Sequence, residues 1–316
     1  AVLFIIDVED GSSIKKIRTG KGPGDDPTGG NRVNGLSSPT VIDVDGDGVA
    51  DAIYAGDLFG NLWKFDVSGS KSSWSIATTG DEPLFKARSD SGDPQPITAA
   101  PAVGFHPDRD HFLVYTGTGK YLGQSDNSAA GQTEQSIYAI WDKENDQDVE
   151  RSDLLEQDIT GEPTVDGTET RVVSDDPMDW DNKDGWLLDL DKPGATGDNR
   201  GERIVTQPVV QADRVTVSTL LPESAPCGGG GSSFLMSLAV GNGGQFGDTI
   251  LDVNNDGSFD VADDASGDAV SGFKAGIGII SRATLVFTAS RQTAIYGGTG
   301  SSSPGTSGST SKIELG

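Results

Sequence analysis

Ala52-Ile-Tyr-Ala-Gly56, carried through Asp57-Leu-Phe-Gly60 into Asn61-Leu-Trp-Lys-Phe-Asp-Val67, is the stretch from which the fold is read. Two apolar-rich runs flank a short turn ending in glycine, which is the pattern of a β-hairpin. The motif returns downstream. Leu113-Val-Tyr-Thr-Gly-Thr-Gly119 and Ala294-Ile-Tyr-Gly-Gly-Thr-Gly300 repeat its apolar-apolar-Tyr-x-Gly core. Gly60-Asn-Leu-Trp-Lys-Phe-Asp66 and Ile137-Tyr-Ala-Ile-Trp-Asp142 share an aromatic strand that ends in aspartate. Repeated strand units of this kind predict the blades of a β-propeller. A β-sandwich also alternates strands with glycine turns; the repeat favours the propeller.

Outward from these blocks the chain reads as strand, turn, strand. Residues 2–8 and 13–17 can pair across an Asp-Gly turn, and 111–117 can pair with 136–141. Further strands are predicted over 186–190, 204–210, 214–221, 234–240, 283–290 and 293–297. Long segments of helical period are absent, and 44 glycines in 316 residues suit many tight turns. The fold class is therefore all-β, a modified β-propeller with long loop insertions. Four Asp/Gly/Ser/Pro-rich stretches, 20–35, 68–96, 143–184 and 247–273, are predicted as those insertions. Residues 297–311 read as a flexible Gly/Ser/Thr segment. The whole of 1–316 is expected to be one propeller-like domain. Its opening, Ala1-Val-Leu-Phe-Ile-Ile-Asp, reads as a strand already under way, so the chain is expected to be part of a longer protein.

With 23 Lys+Arg against 49 Asp+Glu the net charge is −26. That argues against a nucleic-acid ligand, which is held by clustered cations, and against docking on an anionic membrane. No apolar run reaches the length of a membrane span. Cys227 is the single cysteine, so neither an intrachain disulfide nor a cysteine metal cluster can form.

The sharpest chemical signal is Asp43-Val-Asp45-Gly-Asp47-Gly-Val49-Ala-Asp51. It fits the front of an EF-hand-type Ca2+ loop, D-x-D-x-D-G-x-x-D. Four carboxylates within nine residues repel one another unless a cation lies between them. Asp43, Asp45 and Asp47 would ligate through side chains, Val49 through its carbonyl, and Asp51 directly or through water. Tyr54 stands where the usual final glutamate would be, and a strand follows instead of a helix. A second loop carries Asp252, Asn254, Asp256, Ser258, Asp260 and Asp263 at positions 1, 3, 5, 7, 9 and 12, with Gly257 at the turn. It resembles dockerin-type loops and is expected to hold a second Ca2+. A third acidic stretch, 175–185, lacks the register and reads as a solvated loop.

Catalytic signals are weak. His106 and His111 are the only histidines; they could form a two-histidine metal site, but a turn between strands is favoured. Gly117-Thr-Gly-Lys120 lacks the upstream glycine of a phosphate loop, and neither Gly-x-Ser-x-Gly nor His-Glu-x-x-His occurs. No catalytic or organic-cofactor residue is assigned, and a non-enzymatic role is expected.

Asn34-Gly-Leu-Ser-Ser-Pro-Thr-Val-Ile-Asp43 and the calcium loop and hairpin after it resemble the C-terminal domain of the PilY/PilC type IV pilus adhesins. Later blocks agree in order: Ile97-Thr-Ala-Ala-Pro-Ala-Val103, Val114-Tyr-Thr-Gly-Thr-Gly-Lys-Tyr-Leu122, Gln132-Thr-Glu-Gln-Ser-Ile-Tyr-Ala-Ile-Trp-Asp142, Gly185-Trp-Leu-Leu-Asp-Leu190, Gly201-Glu-Arg-Ile-Val205 and Cys227-Gly-Gly-Gly-Gly-Ser-Ser-Phe-Leu235. The resemblance implies a propeller at the tip of a type IV pilus, exported through the periplasm to the cell exterior. It implies a role in pilus assembly or in opposing retraction, and in adhesion. The implied partners are minor pilins at the pilus tip and a host or abiotic surface, with no nucleic acid and no membrane insertion. The family's calcium loop maps onto Asp43, Asp45, Asp47, Val49 and Asp51. No Arg-Gly-Asp triplet is present. Two other readings stay open: a quinoprotein-like propeller dehydrogenase, though five tryptophans without regular spacing and one cysteine fit it poorly, and a carbohydrate- or matrix-binding β module.

Overall fold

The strand repeats are realised as a series of antiparallel sheets in a computed structural model that describes residues 1–144, 149–191, 199–223, 230–287, 292–299 and 309–315. Apart from four short 3-10 turns, every regular element among them is a strand. The N-terminal hairpin pairs Val2–Ile6 with Ser13–Arg18. The first large sheet runs Thr40–Ile42, Ala52–Gly56, Asn61–Asp66 and Ser75–Ile76 in spatial order, with Phe85–Lys86 also on Asn61–Asp66. The second runs Ala102–Phe105, Phe112–Gly117, Ser136–Asp142 and Gly185–Asp189, and adds Leu155–Gln157 in parallel at its edge. The third is the widest, built on Thr168–Val173, Gly272–Lys274, Phe234–Ala239, Arg214–Ser218 and Val209–Gln211. The last is a meander of Thr284–Phe287, Gln292–Gly298 and Ser309–Leu315.

The sheets stack face to face. Side chains alternate across a strand, and here both faces are buried. Ile53 and Ala55 pack with Leu3, Ile17, Trp63 and Phe65 on the hairpin side. Ala52 and Tyr54 on the same strand pack with Val114, Tyr138, Ile140 and Leu187 of the second sheet. That sheet's other face places Leu113, Tyr115 and Trp186 against Phe234, Met236 and Leu238. Leu235 turns the opposite way, toward Tyr296, Ile313 and Leu315. Four apolar layers thus separate successive sheets, as blades require.

The repeated Tyr-x-Gly core has a steric cause. Tyr54, Tyr115 and Tyr296 are buried in the strand that lies between two antiparallel neighbours in their respective sheets. The glycine two residues on leaves room for an isoleucine from a crossing segment. A Cβ at Gly56 would stand 2.1 Å from Ile97, one at Gly117 would stand 2.3 Å from Ile204, and one at Gly298 would stand 2.2 Å from the Ile277 carbonyl.

Three expectations change. Residues 143–184 are not one loop, because Leu155–Gln157, Ile159–Gly161, Thr164–Val165 and Thr168–Val173 are strands. The predicted strand 204–210 is reduced to Val209–Gln211: Pro208 offers no N–H, and Ile204 instead sits against Gly117. The segment 297–311 is bounded by paired strand at both ends, while 300–308 lies outside the described residues, as does Cys227.

Candidate metal centre

The 43–51 loop joins strands Thr40–Ile42 and Ala52–Gly56, so its ends are fixed by the sheet. The Asp51 amide donates to the Ile42 carbonyl at 2.9 Å, and the Val67 amide donates to the Asp51 carbonyl at 2.8 Å. Gly46 and Gly48 adopt φ of 78° and 87°, which turn the chain back on itself. The Gly48 amide, at 2.8 Å, and the Gly46 amide, at 2.7 Å, both donate to Asp43. These bonds hold the Asp43 carboxyl below its ordinary pKa, Gly48 contributing most. Asp51 accepts from the Val44 amide at 2.8 Å, and Asp47 accepts from the Val49 amide at 2.7 Å.

Oxygens of Asp43, Asp45 and Asp51 lie within 4.8 Å of one another, a convergence of three metal-capable side chains that occurs only here among the described residues. Two oxygens each about 2.4 Å from one calcium ion can be no more than about 4.8 Å apart, so the spacing fits the ion. The donors are all hard oxygens, which suit Ca2+ rather than a soft metal. Asp47 belongs to the same turn but not to that trio. Val49 is on the loop with its side chain exposed. Tyr54, in the place of the missing glutamate, is bonded elsewhere: its hydroxyl donates to Asp142 at 2.6 Å. Lys64 pairs with the same Asp142 oxygen at 2.8 Å. Asp45, Asp51 and Lys64 share the lining of a cleft of about 420 Å3 beside the loop.

The second loop has a different balance. Asp252 and Asp263 are buried, and both serve backbone amides. Asp263 accepts from Val253 at 2.7 Å and Asn254 at 3.0 Å, while Asp252 accepts from Asp256 and Gly257, each at 3.0 Å. Asn254, Asp256 and Asp260 cap turns within the loop, accepting from the amides of Asp256, Ser258 and Ala262. Ser258 follows Gly257, whose φ is 85°. The loop is tethered downstream by a Leu251–Leu315 bridge and by the Asp252 amide, 3.4 Å from the Glu314 carbonyl. Its carboxylates close a turn and do not gather as the first trio does.

The other candidates resolve into structure. His106 is buried against Trp141 and Trp180, and its Nδ1 accepts from the Asp108 and Arg109 amides. His111 stands apart, 3.5 Å from Glu144. In the third acidic stretch Asp181 pairs with Arg109 and Asp179 bonds Asn182.

Sequence reasoning missed two buried polar hubs. Asp57, fully buried, accepts from Asn34, Phe59, Asn61 and the Trp63 indole, pinning the first hairpin. Arg171 is fully buried with a fork on Glu202, at 2.8 and 2.9 Å, and a further pair to Glu162. An Asp-x-x-Gly turn gives no hint of the first. The second joins residues 31 positions apart that no local pattern links.

Residues 1–162 match a family described as the PilY1 beta-propeller domain. A type IV pilus biogenesis factor PilY1 homolog of Xylella fastidiosa is 37% identical over 254 residues, which cover 77% of this chain and 17% of that protein. A Pseudomonas aeruginosa type IV pilus biogenesis factor PilY1 is 30% identical over 318 residues, covering 87% of this chain and 26% of that one. The crystal structure of the Pseudomonas aeruginosa PilY1 C-terminal domain superposes with a TM-score of 0.80 at 29% identity, covering all of this chain and 66% of that one. The chain spans about a quarter or less of the length of these curated relatives.

Proposed function

Since this chain belongs to the PilY1 family of type IV pilus factors, we propose that it is a calcium-binding, non-enzymatic component of the pilus tip. In this reading it supports pilus assembly or opposes retraction, and it mediates adhesion outside the cell. Its partners are minor pilins on one side and a host or abiotic surface on the other. The whole of 1–316 acts as one propeller-like domain. No helix among the described residues is long and apolar enough to cross a membrane, which leaves strands unaddressed.

The observation that carries the calcium part is the Asp43, Asp45 and Asp51 trio on a loop clamped by its own sheet. When bound, Ca2+ would offset the mutual repulsion of the carboxylates. Asp43 and Asp51 also hold the turn through the amides of Gly46, Gly48 and Val44, so loop shape and ligand set depend on the same side chains. The strand Ala52–Gly56 that follows lies in the first sheet, and through it the ion would stiffen the blade. The second loop supplies Asp252, Asn254, Asp256, Ser258, Asp260 and Asp263 for a second ion with a structural role.

Calcium titration by calorimetry tests this on the wild type, Asp45→Ala and Asp256→Ala, with melting followed in parallel. Two sites are expected, each lost with its own substitution. Saturation at 100 times the dissociation constant should add about 2.7 kcal/mol per site. Absence of heat at both loops would refute the calcium role. The pilus role is tested separately: cells carrying the Asp45→Ala allele of the full-length protein should show fewer surface pili than wild type, and unchanged piliation and surface attachment in a clean deletion would overturn it.

A further inference from the structure

A cleft of about 360 Å3 opens away from both acidic loops, where Pro94 and Pro96, the Gly119–Lys120 turn and residues 130–135 meet Arg203. Arg203 is 2% exposed. Its Nε donates to the Gly201 carbonyl at 2.8 Å and its Nη1 to the Lys120 carbonyl at 2.9 Å. Its Nη2 is buried without a partner. No ion pair to Arg203 forms among the described residues. Asp126, the carboxylate whose charge bears on it, is already engaged by Lys120 and by the Leu122 and Gly123 amides at 2.9 and 3.0 Å. A buried guanidinium without a matching carboxylate is costly, in a chain that has more than two carboxylates for each cation to place beside it.

The position is built. Gly119 has φ of 133°, and a Cβ there would stand 2.4 Å from the Arg203 Cβ, so the backbone lies flat against the arginine. Gln135, 7% exposed and on the same lining, donates Nε2 to the Thr133 carbonyl at 2.8 Å, while its Oε1 is buried with no partner. Buried polar atoms in folded proteins are almost always paired. Here one donor and one acceptor are left over on residues that line one cavity. The rest of the lining is hydroxyl- and amide-rich, including Thr28, Ser125 and Gln132, while Arg32 and Lys120 on the same lining are already paired with Asp26 and Asp126. Asp93 also lines the cleft, and its charge disfavours a doubly charged phosphate more than a single carboxylate.

We propose that this cleft binds a sugar acid, its carboxylate facing Arg203 and a hydroxyl donating to Gln135. The proposal stands apart from the calcium reading, because no residue is shared with either loop. The test is a titration of the full chain, in saturating calcium, with D-glucuronate, D-glucose and N-acetyl-L-glutamate, read by chemical-shift changes. Glucuronate is expected to bind saturably, glucose at least tenfold more weakly, and N-acetylglutamate at least threefold more weakly. Arg203→Gln should cost at least tenfold in glucuronate affinity and Gln135→Leu at least threefold. Should Arg203→Gln not fold, Gln135→Leu and the glucose comparison decide. Equal binding of glucose, no saturable binding, or affinity unchanged in the folded variants would overturn the site. Tighter binding of N-acetylglutamate would reassign it to acidic peptide and overturn the sugar.

Discussion

Glu134 is half-buried with Asp189 and Asp191 nearby, and burial first, then these two charges, push its carboxyl up to about 7. The folded chain therefore holds a proton that the unfolded chain releases near 4.5. The sign follows from linkage: this group's contribution is complete below about 4.5 and is lost as pH rises through about 7. Glu134→Gln cannot ionise. Its melting temperature is expected to match wild type near pH 4 and to exceed it increasingly from pH 5 to 8; a constant difference would contradict this. Single residues also mark the limit of reading the chain in one dimension. Asp43, Asp45 and Asp51 were legible only as members of a larger set with Asp47 and the Val49 carbonyl, because their spacings and two glycines coincide within nine positions; which three side chains converge is set by the fold. Asp57 was not legible, since its partners Asn34 and Trp63 are chosen by the folded sheet.

At the scale of elements, the glycine of each Tyr-x-Gly strand is required for space rather than for backbone freedom. Adding one methyl at Gly117 would place it 2.3 Å from Ile204, where neither the strand nor the crossing segment has room. Gly117→Ala is expected to cost about 1–3 kcal/mol, measured by denaturant unfolding, as overpacking does. Pairing it with Ile204→Ala, which removes the Cγ2 at 2.3 Å, should cost less than the sum of the two single substitutions. Strands buried on both faces were legible from their unbroken apolar runs, and Ala52–Gly56 emerges with the predicted bounds. Thr168–Val173 was hidden. Its sequence Thr-Glu-Thr-Arg-Val-Val looks solvated, yet Arg171 points into the core and is neutralised by Glu162 and Glu202. An ion pair inside a blade erases the alternation from which strands are recognised.

Across the whole molecule, the charge of −26 opposes compaction. Screening shortens the reach of that repulsion from about 10 Å at 0.1 M salt to about 3 Å at 1 M. Raising NaCl over that range, with calcium fixed, is expected to lift the melting temperature, by about 1.5 °C for each kcal/mol relieved. A fall would mean that exposed ion pairs such as Arg109–Asp181 outweigh the repulsion. The architecture as a stack of sheets was readable from the repeats, whereas the order in which apolar layers alternate between them needed the coordinates. The bridge from Leu251 to Leu315 adds a temporal consequence. A chain emerging from its N-terminal end can close the 43–51 turn once residue 67 is out, since its anchors are Ile42 and Val67. The 252–263 turn must wait for a strand that begins at Ser309. During synthesis the two loops would mature at different moments, so a protease present then would find the later one open for longer.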